Sequence, residues 1–476
     1  MRVVTRAWLA LCLGACSSPS APTRDAGTNG SALLSREQLM KPETCRPCHQ
    51  DHYREWASSM HAYASLDPVF IAMNKRGQRE TDGAMGDFCV RCHAPMALRE
   101  GATTDGLNLD ELPQELKGVT CYFCHAAVRH EALSNNGVVL EEDGVMRGPY
   151  RSAVDPGVHG VEYSSFHDPR QTDSSALCGS CHDVVTPKGV HIERTFAEYK
   201  QSFFAREEKI GSASCQTCHM EAAAEDQEIA QMPGTVLPKR KRHSHLWPAV
   251  DLALTDDFPG QDVQRKAVEC ELSNSLNKPA LRATDPSRMR FEVSFETNAG
   301  HAQPSGAAQD RRMWIEAVAY DNAGNRFFES GVIADDEIEE HPEDSPRHDP
   351  FLSMFRDRLL DAQGQEVHMF WEAEASPDGG PGYKSDLVPV KQTAGGDHFV
   401  RRTYSLRAPA ARFEVRVRMR PVGMDVLRSL VESRDLDESV LARVPTFTLV
   451  SGTWEPTNRA DPVPLRHDKR CIAGEF

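Results

Sequence analysis

The sequence predicts an α+β chain of several domains, a mainly helical and irregular segment followed by a β-sandwich-like domain. Three observations predict it. The pentapeptide C-x-x-C-H occurs five times between residues 45 and 219, beginning at Cys45, Cys89, Cys121, Cys178 and Cys215. Beyond about residue 290, apolar and polar residues alternate with a period of two. Hydrophobic residues make up only 39% of the 476 residues and aromatics 7%, lean for a chain this long unless something else supplies apolar volume.

The pentapeptide is the attachment signature of a c-type haem. Two thiols three residues apart form thioethers with one edge of a porphyrin. The histidine that follows reaches the iron from one side. The expected attachment residues are Cys45, Cys48, Cys89, Cys92, Cys121, Cys124, Cys178, Cys181, Cys215 and Cys218, with His49, His93, His125, His182 and His219 as iron ligands. Zinc knuckles would pair such motifs two by two, and five do not pair. A thioredoxin-like redox pair needs no histidine after each second cysteine. Five covalent haem c groups are therefore expected.

The chain begins with a basic stretch (Arg2, Arg6), a short apolar core (Ala7 to Gly14) and Leu13-Gly14-Ala15-Cys16. That order resembles a bacterial lipoprotein signal over 1–16, with lipid expected on Cys16. Residues 17–39 begin with a Ser-, Ala-, Pro-, Thr- and Gly-rich run that reads as a flexible tether. The expected location is outside the cytoplasm, in the periplasm or anchored to the outer membrane of a bacterium. The formal charge of −16 argues against nucleic acid and suits a basic redox partner or plain solubility.

The haem segment is expected over 40–252, with helices at 50–64 and 195–204 and little other regular structure. Each iron has a second axial position. Histidine or methionine there gives electron transfer, whereas an open position admits a substrate. His52, His61, His130, His159, His167, His191, His243 and His245 are available in this segment.

The intervening residues carry a resemblance. Tyr53, Trp56, Ser58/Ser59, His61 and Ala62 resemble the segment after the first haem in the multihaem cytochrome family that includes cytochrome c-554. Gly118-Val119-Thr120-Cys121, Gly148-Pro149-Tyr150, Leu177 to Asp183, Thr195 to Ser202 and His243-Ser244-His245-Leu246-Trp247 are similar too. The resemblance implies distal ligands at His61 and at His245, with His243 as the close rival to the latter, and the order of preference is His61, His245, His159, His167, His130. His191 stands where the family has no ligand. The best-known member carries four haems, and this chain has five motifs.

The domain over 253–476 contains no haem motif. Phe291, Val293 and Phe295, Trp314 to Tyr320, and Phe413, Val415, Val417 and Met419 read as strands, with one helix at 422–434. Asn298 to Gly306 resembles a Gly-His-x-x-Pro-x-Gly turn of sandwich domains attached to such cytochromes. Polar turn chemistry favours His301 as a turn residue over a haem ligand. The acidic run 335–344 reads as a solvated loop. Cys270 and Cys471, outside both motif and signal, could form a disulfide in an oxidising compartment.

The expectation is an exported, lipid-anchored, five-haem cytochrome that transfers electrons between redox proteins, other multihaem cytochromes among them, without catalysis of its own. The rival is a multihaem oxidoreductase acting on a small nitrogen or sulfur compound at an iron with an open axial site. All five motifs end in histidine, so the lysine-ended motif typical of pentahaem nitrite reductases is absent.

Overall fold

Each pentapeptide sits on or beside one short helical turn: Pro42–Cys45, Val90–His93, Cys121–His125, Ser175–Gly179 and Cys215–His219. The histidine N–H donates to the carbonyl of the first cysteine in His49, His93 and His182, at 2.8, 3.2 and 3.0 Å. This i to i−4 closure puts both cysteines and the histidine on one face of the turn. Thr120 and Ser214 cap the third and fifth turns with their hydroxyls.

The computed structural model describes residues 33–456, apart from 155–156, 207–210, 233, 377 and 394, and also residue 471. The expected signal with Cys16, and the tether up to residue 32, lie outside the described residues. Among the described residues no helix is long and apolar enough to cross a membrane.

The helix expected over 50–64 is broken. α1 runs Gln50–Ala57 and a separate turn spans Met60–Tyr63. Ser58 Oγ donates to the Arg54 carbonyl and Ser59 Oγ to that of Trp56, and Ser59 then caps the next turn. Hydroxyls that bond nearby main chain in this way end helices. α2 (Pro68–Glu80) starts with proline at its first position and an Asp67 cap. α3 (Thr195–Gln201) stops at Ser202, short of the expected 204, because the Ser202 side chain caps a following 3-10 turn.

The haem segment also holds strands that the sequence reading did not predict. β1 (Ala127–His130) pairs with β2 (Val138–Leu140), and β3 (Val145–Gly148) runs parallel to β4 (Gly160–Tyr163). β5 (Val184–Val185) pairs with β6 (His191–Glu193), and β7 (Ala222–Gln227) with β8 (Arg240–His243). These short ribbons fold the chain back over the motifs.

The second half is a two-sheet β domain. β9 (Ala280–Ala283), β10 (Arg290–Phe295) and β16 (Val400–Ser405) form one sheet in the order 16-10-9. The other is built on β11 (Arg312–Tyr320), with β12 (Arg326–Ser330), β13 (Ser353–Leu360), β14 (Glu366–Val367), β15 (Tyr383–Asp386), β17 (Arg412–Arg420) and β18 (Phe447–Trp454). Its main path is 14-13-11-17-18. Phe291, Val293 and Phe295 meet Met313, Ile315, Phe413, Val415 and Val417 in one core. This is the inward half of the period-two pattern.

α4 (Gln261–Ser275) was not expected. It lays Val268 and Leu272 on that core. α5 (Met424–Glu432) falls inside the expected 422–434 and packs against Val69 and Ala72 of α2, so the two halves share an apolar seam. The acidic run is not a solvated loop throughout. Glu339 is fully buried in an ion pair with Arg420, and Glu340 pairs with Arg356 and Arg358. Cys270 and Cys471 are joined in a disulfide.

Candidate haem-binding centres

The main chain aims the motif histidines. His49 Nδ1 lies 2.9 Å from the Ile229 carbonyl, His93 Nδ1 2.8 Å from Ala64, His125 Nδ1 2.6 Å from Arg147 and His219 Nδ1 3.0 Å from Pro248. His182 Nδ1 differs: it meets the Glu193 carboxylate at 3.1 Å. At the four carbonyl partners Nδ1 carries the proton, which leaves Nε2 bare for a metal.

A second histidine faces four of these rings. His49 and His159 have centroids 6.5 Å apart, His182 and His61 6.3 Å, His125 and His245 6.3 Å, and His219 and His301 6.4 Å. A metal–imidazole bond of about 2 Å on each side, with about 1.2 Å from nitrogen to ring centre, puts trans imidazoles about 6.4 Å apart. The four gaps each have the length that one iron would occupy.

Several local devices hold the facing rings. Gly118 adopts φ +64°, and a Cβ there would lie 2.5 Å from the His61 carbonyl. Glycine thus lets Val119 N–H bond that carbonyl at 2.8 Å. Glu55 of α1, buried and paired with Arg242, accepts the His245 N–H at 2.9 Å. His301 sits on a turn whose Ala302 N–H donates to Glu198 and whose Gly306 N–H donates to Thr195, both from α3. Burial pushes His61 and His245 down to about 3 and His301 to about 4, which keeps them neutral, the form an imidazole needs to bind a metal.

His93 is the exception. Phe70 stacks on its ring at 4.0 Å, and among the described residues no second histidine faces it at the ligand-pair distance. Its Cys89 packs instead beside Met73, Met85, Met369, Phe370 and Trp371.

His167 and His130 are placed differently from His61, His159 and His245. His167 is stacked beside His125, but its Nε2 lies 2.7 Å from the Cys124 carbonyl, so that nitrogen is taken. His130 stands against Phe166. His191 bonds Asp183, and His243 Nδ1 bonds the Met220 carbonyl. His301, which the sequence favours as a turn residue, faces His219 across the domain boundary. Its Gly-His-x-x-Pro-x-Gly context was the only signal for it. Glu193 had no signal at all.

Two aromatic side chains stand between centres. His52 lies edge-on to His245 at 4.6 Å and to His49 at 5.9 Å. Trp247 lies edge-on to His61 at 4.6 Å and His245 at 5.2 Å.

These residues fit covalent haem. None of the ten motif cysteines is in a disulfide. Among the described residues no three His, Cys, Asp or Glu side chains converge as a zinc site would require.

Comparison with known proteins agrees. Residues 44–126 match the family described as cytochrome c554 and c-prime. The fold matches the crystal structure of a penta-heme cytochrome c552 from Thermochromatium tepidum with a TM-score of 0.57. The two share 21% sequence identity, and the match covers 88% of this chain and 98% of that one. Comparison with curated proteins gives no match.

Proposed function

We propose that this chain, a multihaem c-type cytochrome that holds haem covalently, carries five such groups and passes electrons between redox partner proteins. The observation that carries the reading is the set of four facing histidine pairs, His49–His159, His125–His245, His182–His61 and His219–His301. Haem iron would supply a one-electron couple there, and the two imidazoles of each facing pair would hold it and leave no site for another molecule. The residues do the rest. Each motif histidine is held by its Nδ1 partner, and in the four pairs the facing histidine would hold the iron from the opposite side.

The sulfurs give the order of the centres. Cys45 has Cys121 as its near neighbour, Cys92 has Cys181, and Cys178 has Cys215. Cys124 is the electrostatic neighbour of both Cys178 and Cys181. The first motif thus abuts the third, and the third abuts the fourth. The fourth also touches the second and the fifth. The fourth motif is a junction with three neighbours.

Export, a lipid on Cys16 and a periplasmic or outer-membrane location belong to the same reading. They rest on the order of basic, apolar and small residues at 1–16 and on haem attachment outside the cytoplasm. The His93 centre alone leaves room for the rival, an oxidoreductase of small nitrogen or sulfur compounds.

Low-temperature EPR of the oxidised protein, with a haem count, tests the proposal. The expected result is five haems per chain and low-spin signals from the four histidine-paired centres. Fewer than five haems would refute the count. A high-spin signal that changes on adding nitrite, hydroxylamine or sulfite would replace electron transfer with the oxidoreductase reading.

A further inference from the structure

Four of the five motif histidines give their Nδ1 proton to a main-chain carbonyl, and His182 gives its proton to the Glu193 carboxylate. Local topology builds this difference. Val184, two residues beyond His182, pairs with Glu193 in the β5–β6 ribbon, and the return strand carries the carboxylate over the imidazole. Glu193 is about four-fifths buried. Among the described residues its only ion-pair partner is His182. The nearby cations are engaged elsewhere: Arg194 with Asp357 and Glu198, and Arg311 with Asp251. Glu193 also lies within electrostatic reach of Arg311, His93 and His301, but its hydrogen bond goes to the His182 imidazole.

We infer that Glu193 is a positioning residue that lowers the reduction potential of the centre held by His182, relative to what a carbonyl partner would give. A carboxylate that accepts the Nδ1 proton makes the ring a more basic ligand. A more electron-rich ligand favours the oxidised, more positive iron. The inference rests on the electron-transfer reading and deepens it. His182 belongs to the junction motif, whose sulfurs touch those of the second and fifth motifs. A low potential at that point makes the junction a place of transit, with electrons resting on its neighbours.

The test is redox titration of the full-length holoprotein followed by low-temperature EPR. Glu193→Gln keeps an oxygen acceptor and removes the charge. His61→Ala identifies the signal that belongs to the His182 centre, because His61 faces His182. The expected result is an upward shift of that centre's midpoint in Glu193→Gln, with the other centres moving much less. Glu193→Asp restores the charge and is expected to return the midpoint toward its original value.

An unmoved midpoint with five haems attached would overturn the inference, as would an equal shift at every centre. If Glu193→Gln fails to load haem, the unmodified protein still decides the matter. Its His182 centre should show a near-infrared charge-transfer band at shorter wavelength than the other histidine-paired centres. Coincident bands would overturn the inference. Missing or high-spin haem in the unmodified protein would instead count against the electron-transfer reading, so the two failures are distinguishable.

Discussion

Replacing His301 with alanine separates a ligand from a turn residue. In the structure His301 is one member of four facing pairs, and its ring centre lies 6.4 Å from that of His219 with the rings 16° from parallel. An alanine methyl cannot span the distance from the turn to an iron midway between those rings. One centre in four therefore loses its second strong ligand. The low-spin EPR intensity of the histidine-paired set should fall by about one quarter, with a high-spin signal gained in its place. The turn itself should hold. Ala302 N–H still donates to Glu198 at 3.0 Å, Gly306 N–H to Thr195 at 3.1 Å, and Thr195 still meets Ser305 at 2.8 Å. Circular dichroism and haem count should be unchanged. His130→Ala, which touches no motif ring, serves as the control and should leave the spectrum intact. Full low-spin intensity in His301→Ala, with five haems bound, would refute ligation across the domain boundary.

Other outcomes follow from the same contacts. Arg420→Met strands Glu339, fully buried beside it, and should cost about 3–5 kcal/mol in denaturant unfolding of the β domain; a change below about 1 kcal/mol would contradict that burial. Cys270→Ser opens a disulfide between residues 201 apart and should lower stability by about 2–4 kcal/mol, measured against the unmodified protein under non-reducing conditions. Arg312 outweighs the burial that would raise Asp425 and holds its carboxyl below the usual range, so the pair stabilises the fold above the ordinary carboxylate pKa. That contribution is lost as pH falls below about 4, and Asp425→Asn should flatten this part of the pH–stability curve.

The motif helices and the strands of the β domain were legible because their signals are local. A C-x-x-C-H run carries its chemistry within five residues, and Phe291, Val293 and Phe295 alternate within one strand. The short ribbons of the haem segment were not legible. β5 is two residues long, too short for a periodic pattern to register. α4 escaped because its polar residues mask the spacing of Val268 and Leu272. Glu339 looked solvated because the sequence around it is acidic, and only the approach of Arg420 from a distant strand buries it.

The five motif runs, read alone, single out the cysteines that would carry haem and the histidine beside each pair, and period-two alternation marks the β domain that follows. Those are properties of short stretches whose residues act together. Tertiary structure alone decided which histidine faces which. Val119 clamps His61 against a lead-in 58 residues further on, and α3 holds the His301 turn from another domain. The facing of two histidines is a long-range contact, set by packing between elements rather than by any spacing along the chain. The same reason explains Glu193. Its carboxylate meets His182 only because a two-residue strand turns the chain back upon the motif.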